Sequence, residues 1–122
     1  MKRDWDLIRE VLIEIEALEE PKRYMVTYGV GDEHQPEAHA KAHQALLLWK
    51  AGFIEAVDAS SLAGPAIVSP ALTWQGHDLL DTLRSKPVWE RIKKIAEEKG
   101  IELTFDAVKA LGKAALSAVA GG

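Results

Sequence analysis

The chain has 122 residues, 48% of them apolar and 28% charged, with a formal net charge of −4, which is one hydrophobic core's worth of sequence. The absence of cysteine excludes disulfides, thiolate metal sites and thiol nucleophiles. No apolar run approaches the ~20 residues of a bilayer span, and the acidic residues in MKRDWDLIRE interrupt any signal-peptide pattern, so no membrane partner and a cytoplasmic location are expected.

Residues 4–19 place Trp5, Ile8, Leu12, Ile15 and Leu18 at helical spacing with Val11 beside them, and Asp4 is a capping residue for that helix. Pro21 stops the pattern. RYMVTYG, residues 23–29, is β-branched and aromatic and predicts a short strand closed by Gly29. After a loop, VGDEHQPE, a second helix runs from Pro36 to Ala51 with Gly52 as its stop. Its inward stripe reads as Ala38, Ala42, Ala45, Leu46 and Trp49.

FIEAVD, 53–58, and AIVSPALT, 66–73, read as the two strands of a hairpin around ASSLAGP, with Pro70 confining the second strand to an edge or a bulge. Thr73 then caps a helix in which Gly76, Leu79, Leu80 and Leu83 share one face, Gly76 being suited to close approach of a neighbouring backbone. A helix over 86–99 follows, with Val88, Trp89, Ile92, Ile95 and Ala96 inward and Gly100 ending it. The last helix runs from Thr104 to about Ala120, lined by Phe105, Val108, Leu111, Ala115 and Leu116. Its wide apolar arc predicts that it covers the core or, in preference, forms a homodimer.

These elements predict a mainly α fold with a small antiparallel β-sheet. A helix ending just before a hairpin, with an earlier strand as its third member, is the winged-helix arrangement, although a second full helix of a helix-turn-helix is missing around 30–36. The expected organisation is a single domain over 1–122, with a winged-helix-like core over 1–85 and a C-terminal helical extension over 86–122.

MKRDWDLIREVLIEIE, LLLWKAGFIEAVD, LTWQGHDLLD and VWERIKK, in that order, resemble the uncharacterised phage and prophage family of small winged-helix proteins that carries a domain-of-unknown-function label. The resemblance implies a winged-helix-like core and a phage or prophage origin in bacteria. It implies no activity, cofactor or catalytic residue.

The residues add little chemistry to this. His39 and His43 lie one helical turn apart, with His34 close in sequence, a spacing that can hold a metal. On a helical wheel they flank the apolar stripe without a third ligand, so solvated or interface histidines are expected and no metal. His77, Asp78 and Asp81 lack a nucleophile, a phosphate loop or a paired carboxylate motif, so WQGHD reads as a structural joint and no enzyme or cofactor is expected.

What remains is a regulatory binding protein whose partner is duplex DNA or a host or phage protein. For DNA, the contacts would be Gln35, Lys41, Gln44 and Lys50 on or beside the second helix. Against DNA stand the few cations on that helix and a hairpin loop without Lys or Arg. Arg84, Lys86, Arg91, Lys93, Lys94 and Lys99 are interleaved with Glu90, Glu97 and Glu98, which reads as a solvated face with intrahelical ion pairs. For a protein partner, such as a host defence enzyme to be inhibited, the contacts would be Leu47, Leu48 and Trp74.

Overall fold

The computed structural model describes the backbone of residues 2–30 and 36–120, with side chains as far as Leu116. The fold is mainly helical with one three-stranded antiparallel sheet. In chain order it comprises α1 (Trp5–Glu16), β1 (Thr27–Gly29), α2 (Pro36–Lys50), β2 (Ile54–Asp58), β3 (Ala66–Leu72), α3 (Trp74–Leu83), α4 (Lys86–Lys99) and α5 (Phe105–Ala120). The chain divides into two compact units, residues 1–77 and 78–122. The division falls inside α3, earlier than the junction at 85 expected from sequence.

In the first unit, α1 starts where Asp4 Oδ1 accepts from the Leu7 N–H. Its stripe of Trp5, Ile8, Val11, Leu12 and Ile15 is buried, and α1 packs on α2 and β3. Fully burying each such aliphatic side chain contributes about 1.5–3 kcal/mol. Tyr28, Ile54, Ile67 and Leu72 of the sheet are also core.

Two local expectations change. Residues 22–25 form a 3-10 turn rather than a strand, because Tyr24 N–H bonds to Pro21 C=O and Val26 N–H to Arg23 C=O. The turn that Pro21 opens overrides the β-propensity of Tyr-Met-Val, and only Thr27–Gly29 joins the sheet. On α2 the buried arc is Ala42, Gln44, Ala45, Leu46 and Leu48. Ala38, expected inside, is exposed because it lies in the first turn beside an open cleft, and Trp49 is half-buried.

The sheet order is β1-β3-β2, so the strand containing Pro70 is central and not an edge. Pro70 is accommodated by a bulge. Glu55 pairs with Ala71 but Val57 with Val68, which leaves Ser69 and Pro70 facing the single residue Ala56. Ser69 takes a φ of 56° there, an uncommon angle for a non-glycine residue. Pairing with β1 reaches only to Thr27 opposite Val68, so no β1 ladder bond requires the N–H that Pro70 lacks.

The second unit holds most of α3 with α4 and α5. Ser85 caps α4 by accepting from Val88 N–H, and Gly100 closes it with a φ of 64°. Val88, Trp89, Ile92 and Ala96 are buried and α4 packs along α5. On α5, capped by Thr104 through the Ala107 N–H, Val108, Gly112 and Ala115 are buried. Leu116, expected on the inner face, is 57% exposed, beyond the last buried turn marked by Ala115.

The joint at the start of α3 generates a direct test. Thr73 Oγ1 accepts from Gly76 N–H, and a Cβ on Gly76 would collide with the backbone carbonyl oxygen of Phe53. Replacing glycine by alanine within a helix ordinarily stabilises by up to about 1 kcal/mol. Here Gly76→Ala should destabilise by about 2 kcal/mol or more, because a backbone atom cannot move aside as a side chain can. Urea unfolding checks this, and a variant as stable as the parent would refute the close approach.

Candidate functional site

The surface that sequence singled out is built on α2, which precedes the β2–β3 hairpin. Gln35 and His34 lie outside the described residues. Gln44, expected as a DNA contact, is only 4% exposed. Its Oε1 accepts from Asp4 N–H at 3.0 Å and its Nε2 donates to Lys2 C=O at 3.1 Å. The N-terminal segment thus consumes this amide, and Gln44 is a structural clamp instead of a reader of bases.

Lys41 is not a free cation. Its Nζ lies 2.9 Å from Glu14 Oε2 of α1, and Glu10 and Glu37 add negative potential around it. The hydrogen bond and charge of Glu14 hold the Lys41 ammonium above its ordinary pKa, outweighing the opposing effect of desolvation. Glu14 Oε1 also accepts from the Tyr28 hydroxyl at 3.4 Å. Burial, followed by the charge and hydrogen bond of Glu14, pushes the Tyr28 phenol well above its usual range. With Val26, Thr27, Gly29, Pro36, Glu37 and Ala38 these three side chains line a cleft of about 790 Å³ between β1 and the first turns of α2. Of the four residues expected to reach DNA, Lys50 alone is both described and exposed.

The expected protein-contact residues also separate. Leu48 is fully buried and belongs to the core, because its side of α2 faces the rest of the first unit. Leu47 is half-buried. Trp74 is 84% exposed at the first residue of α3. Sequence reasoning missed Met25, Val57 and Leu62, which are also exposed. Val57 lies opposite Val68, and Val68 opposite Thr27, so these residues share one row across the sheet. Alternation in FIEAVD marks that face, since Ile54 is inward and Val57 is three residues on.

The other polar candidates acquire partners. His77 Nδ1 is 4.0 Å from Glu16 Oε2 and its backbone N–H bonds to Thr73 C=O. Asp78 and Asp81 are exposed, and Asp81 pairs with Arg84 at 3.6 Å. Lys93 pairs with Glu90 at 3.2 Å, as the interleaved charges suggested. His39 and His43 share one face of α2 and approach each other directly, with 2.9 Å between their Nε2 atoms. Burial, then the neighbouring His39, lowers the pKa of the His43 imidazole below its ordinary value.

Among known proteins, the family described as a hypothetical protein, DUF2513, matches residues 2–102. An uncharacterized protein of Haemophilus influenzae is 38% identical over 119 residues, covering 96% of this chain and 97% of that protein. No solved structure matches.

Two measurements test the α2 surface. Gln44→Ala removes two part-buried hydrogen bonds to the backbone of Lys2 and Asp4 and should cost about 1–3 kcal/mol in urea unfolding. A cost near zero would return Gln44 to the surface. The raised phenol of Tyr28 binds its proton more tightly folded than unfolded, so the stability it contributes is intact below the ordinary tyrosine pKa and lost as pH climbs through the raised value. In a spectrophotometric titration of the chain's two tyrosines, one should ionise only as the fold is lost in alkali, and Tyr28→Phe should abolish that late phase.

Proposed function

The chain belongs to the DUF2513 family, and we propose that it is a non-catalytic regulatory binding module on a winged-helix arrangement, with a protein as its partner. The order helix, strand, helix, hairpin and the sheet order β1-β3-β2 support the winged-helix reading. Resemblance of its four sequence segments supports a phage or prophage origin, and a cytoplasmic location goes with it.

The observation that carries the choice of partner is Trp74. A tryptophan left 84% exposed holds a large apolar surface in water, and tryptophans are enriched among the residues that dominate protein interfaces. Charge supports the same choice. On α2, Lys41 is committed to Glu14, and the hairpin loop 59–65 contributes no cation to a phosphate. The element order favours a second reading, duplex DNA bound through α2, with Lys50 as its exposed contact among the described residues.

A salt series separates the two. With a labelled duplex, the proposal expects no saturable binding even at low ionic strength, whereas a steep salt slope would overturn it in favour of DNA. In affinity capture from bacterial lysate, Trp74→Ala should lose a partner retained by the parent by about tenfold or more, while shifting stability by no more than about 0.5 kcal/mol. Equal retention would remove Trp74 from the interface.

A further inference from the structure

The imidazoles of His39 and His43 are spaced by one turn of α2, so both reach the same side of the helix. Their Nε2 atoms stand 2.9 Å apart, their centroids 4.5 Å apart, and their planes are inclined by 79°. A straight N–H···N hydrogen bond of this length would separate the centroids by about 5.2 Å, since each nitrogen stands about 1.15 Å from its own centroid. The rings therefore depart from a collinear arrangement. For ring axes that meet symmetrically, the two distances put the meeting point about 2.1 Å from each nitrogen and the angle there at about 90°. On that arrangement the length would match an imidazole–metal bond and the angle the cis angle of a square-planar or octahedral ion. A tetrahedral ion would need the nitrogens about 3.4 Å apart.

We infer that His39 and His43 form a two-nitrogen site for a divalent transition-metal ion, preferring copper(II), then nickel(II), then zinc(II). The order follows from the cis angle together with the general rise of imidazole affinity towards copper. Each Nε2 lone pair enters the coordination sphere, and each ring then carries its hydrogen on Nδ1. Both Nδ1 atoms are buried, and neither has a hydrogen-bond partner among the described residues. Metal-bound histidines elsewhere gain about 10- to 100-fold in affinity from an acceptor at that position. Without one among the described residues, the site is exchangeable rather than structural. Among the described residues no group of three or more His, Asp or Glu side chains converges, so water or an external ligand completes the coordination. The bound ion would tie residue 39 to residue 43 and stiffen the first half of α2.

The test uses the full chain without an affinity tag, titrated with copper(II) chloride and nickel(II) chloride by calorimetry. One saturable site is expected, tighter for copper(II), with a rise in melting temperature as metal is added. His39→Gln and His43→Gln should each weaken copper(II) binding by about tenfold or more, and His77→Gln should leave it unchanged. Should either variant fold poorly, electron paramagnetic resonance of the copper-loaded parent must show two equatorial imidazole nitrogens. A parent without saturable binding, equal affinity after replacing both histidines, or a spectrum with a single nitrogen would each overturn the inference.

Discussion

The start of α3 in the first unit depends on the hydroxyl of Thr73. It donates to Gly52 C=O at 2.6 Å and accepts from Gly76 N–H at 3.1 Å, so one oxygen joins the turn after α2 to the first turn of α3. Thr73 N–H bonds to Phe53 C=O in addition, at the open end of the β2–β3 hairpin. The exit of α2, the entry of β2, the exit of β3 and the entry of α3 thereby meet within a few ångströms. Only a residue without a Cβ can occupy position 76 under the Phe53 carbonyl. WQGHD is thus a joint, and the position of Trp74 follows from it. The helix start that Thr73 and Gly76 fix leaves the indole pointing away from the core, where it is 84% exposed.

Much of this was legible locally. Asp4, Thr73 and Thr104 stand before apolar periodic runs, and each accepts from an N–H three residues on, because a cap is a short-range arrangement with a sequence signature. Gly100 ends α4 in the left-handed conformation for the same kind of reason. The elements least legible were those decided by distant chain. Gln44 on a helix reads as a surface amide, and nothing near it in sequence shows that Lys2 and Asp4, some forty residues earlier, fold back to bond it. Leu46, Leu47 and Leu48 point around most of a helical circumference. The packing of α1 and the sheet against α2, and not the pattern itself, decides that Leu48 is core and Leu47 half-exposed.

The same distinction applies to charge. Counting cations along α2 treats Lys41 as available, but the residue that claims it is Glu14 on α1, whose two carboxylate oxygens bridge Lys41 and Tyr28. An exposed pair of this kind contributes less than about 1 kcal/mol to stability. Its larger effect is on the surface potential, since the cation best placed for a polyanion is neutralised among Glu10, Glu14 and Glu37. The histidine pair shows the complementary case, in which spacing was visible but convergence was not. Two residues one turn apart can splay or meet, and the rotamers that packing allows decide between these outcomes.

The Ser69–Pro70 bulge bears on how the hairpin can vary. A strand ladder can slip by changing partners, and each one-residue slip exchanges its inner and outer side chains. Here β3 carries a proline that cannot donate and a serine held at positive φ, both opposite Ala56, so a shifted register would bring Pro70 against a partner expecting an N–H. The alignment is fixed from the base of the hairpin. Its tip, residues 59–65, is thereby released from setting the register, and this is the segment of the sheet where insertions and exchanged loops leave the alignment of the strands intact.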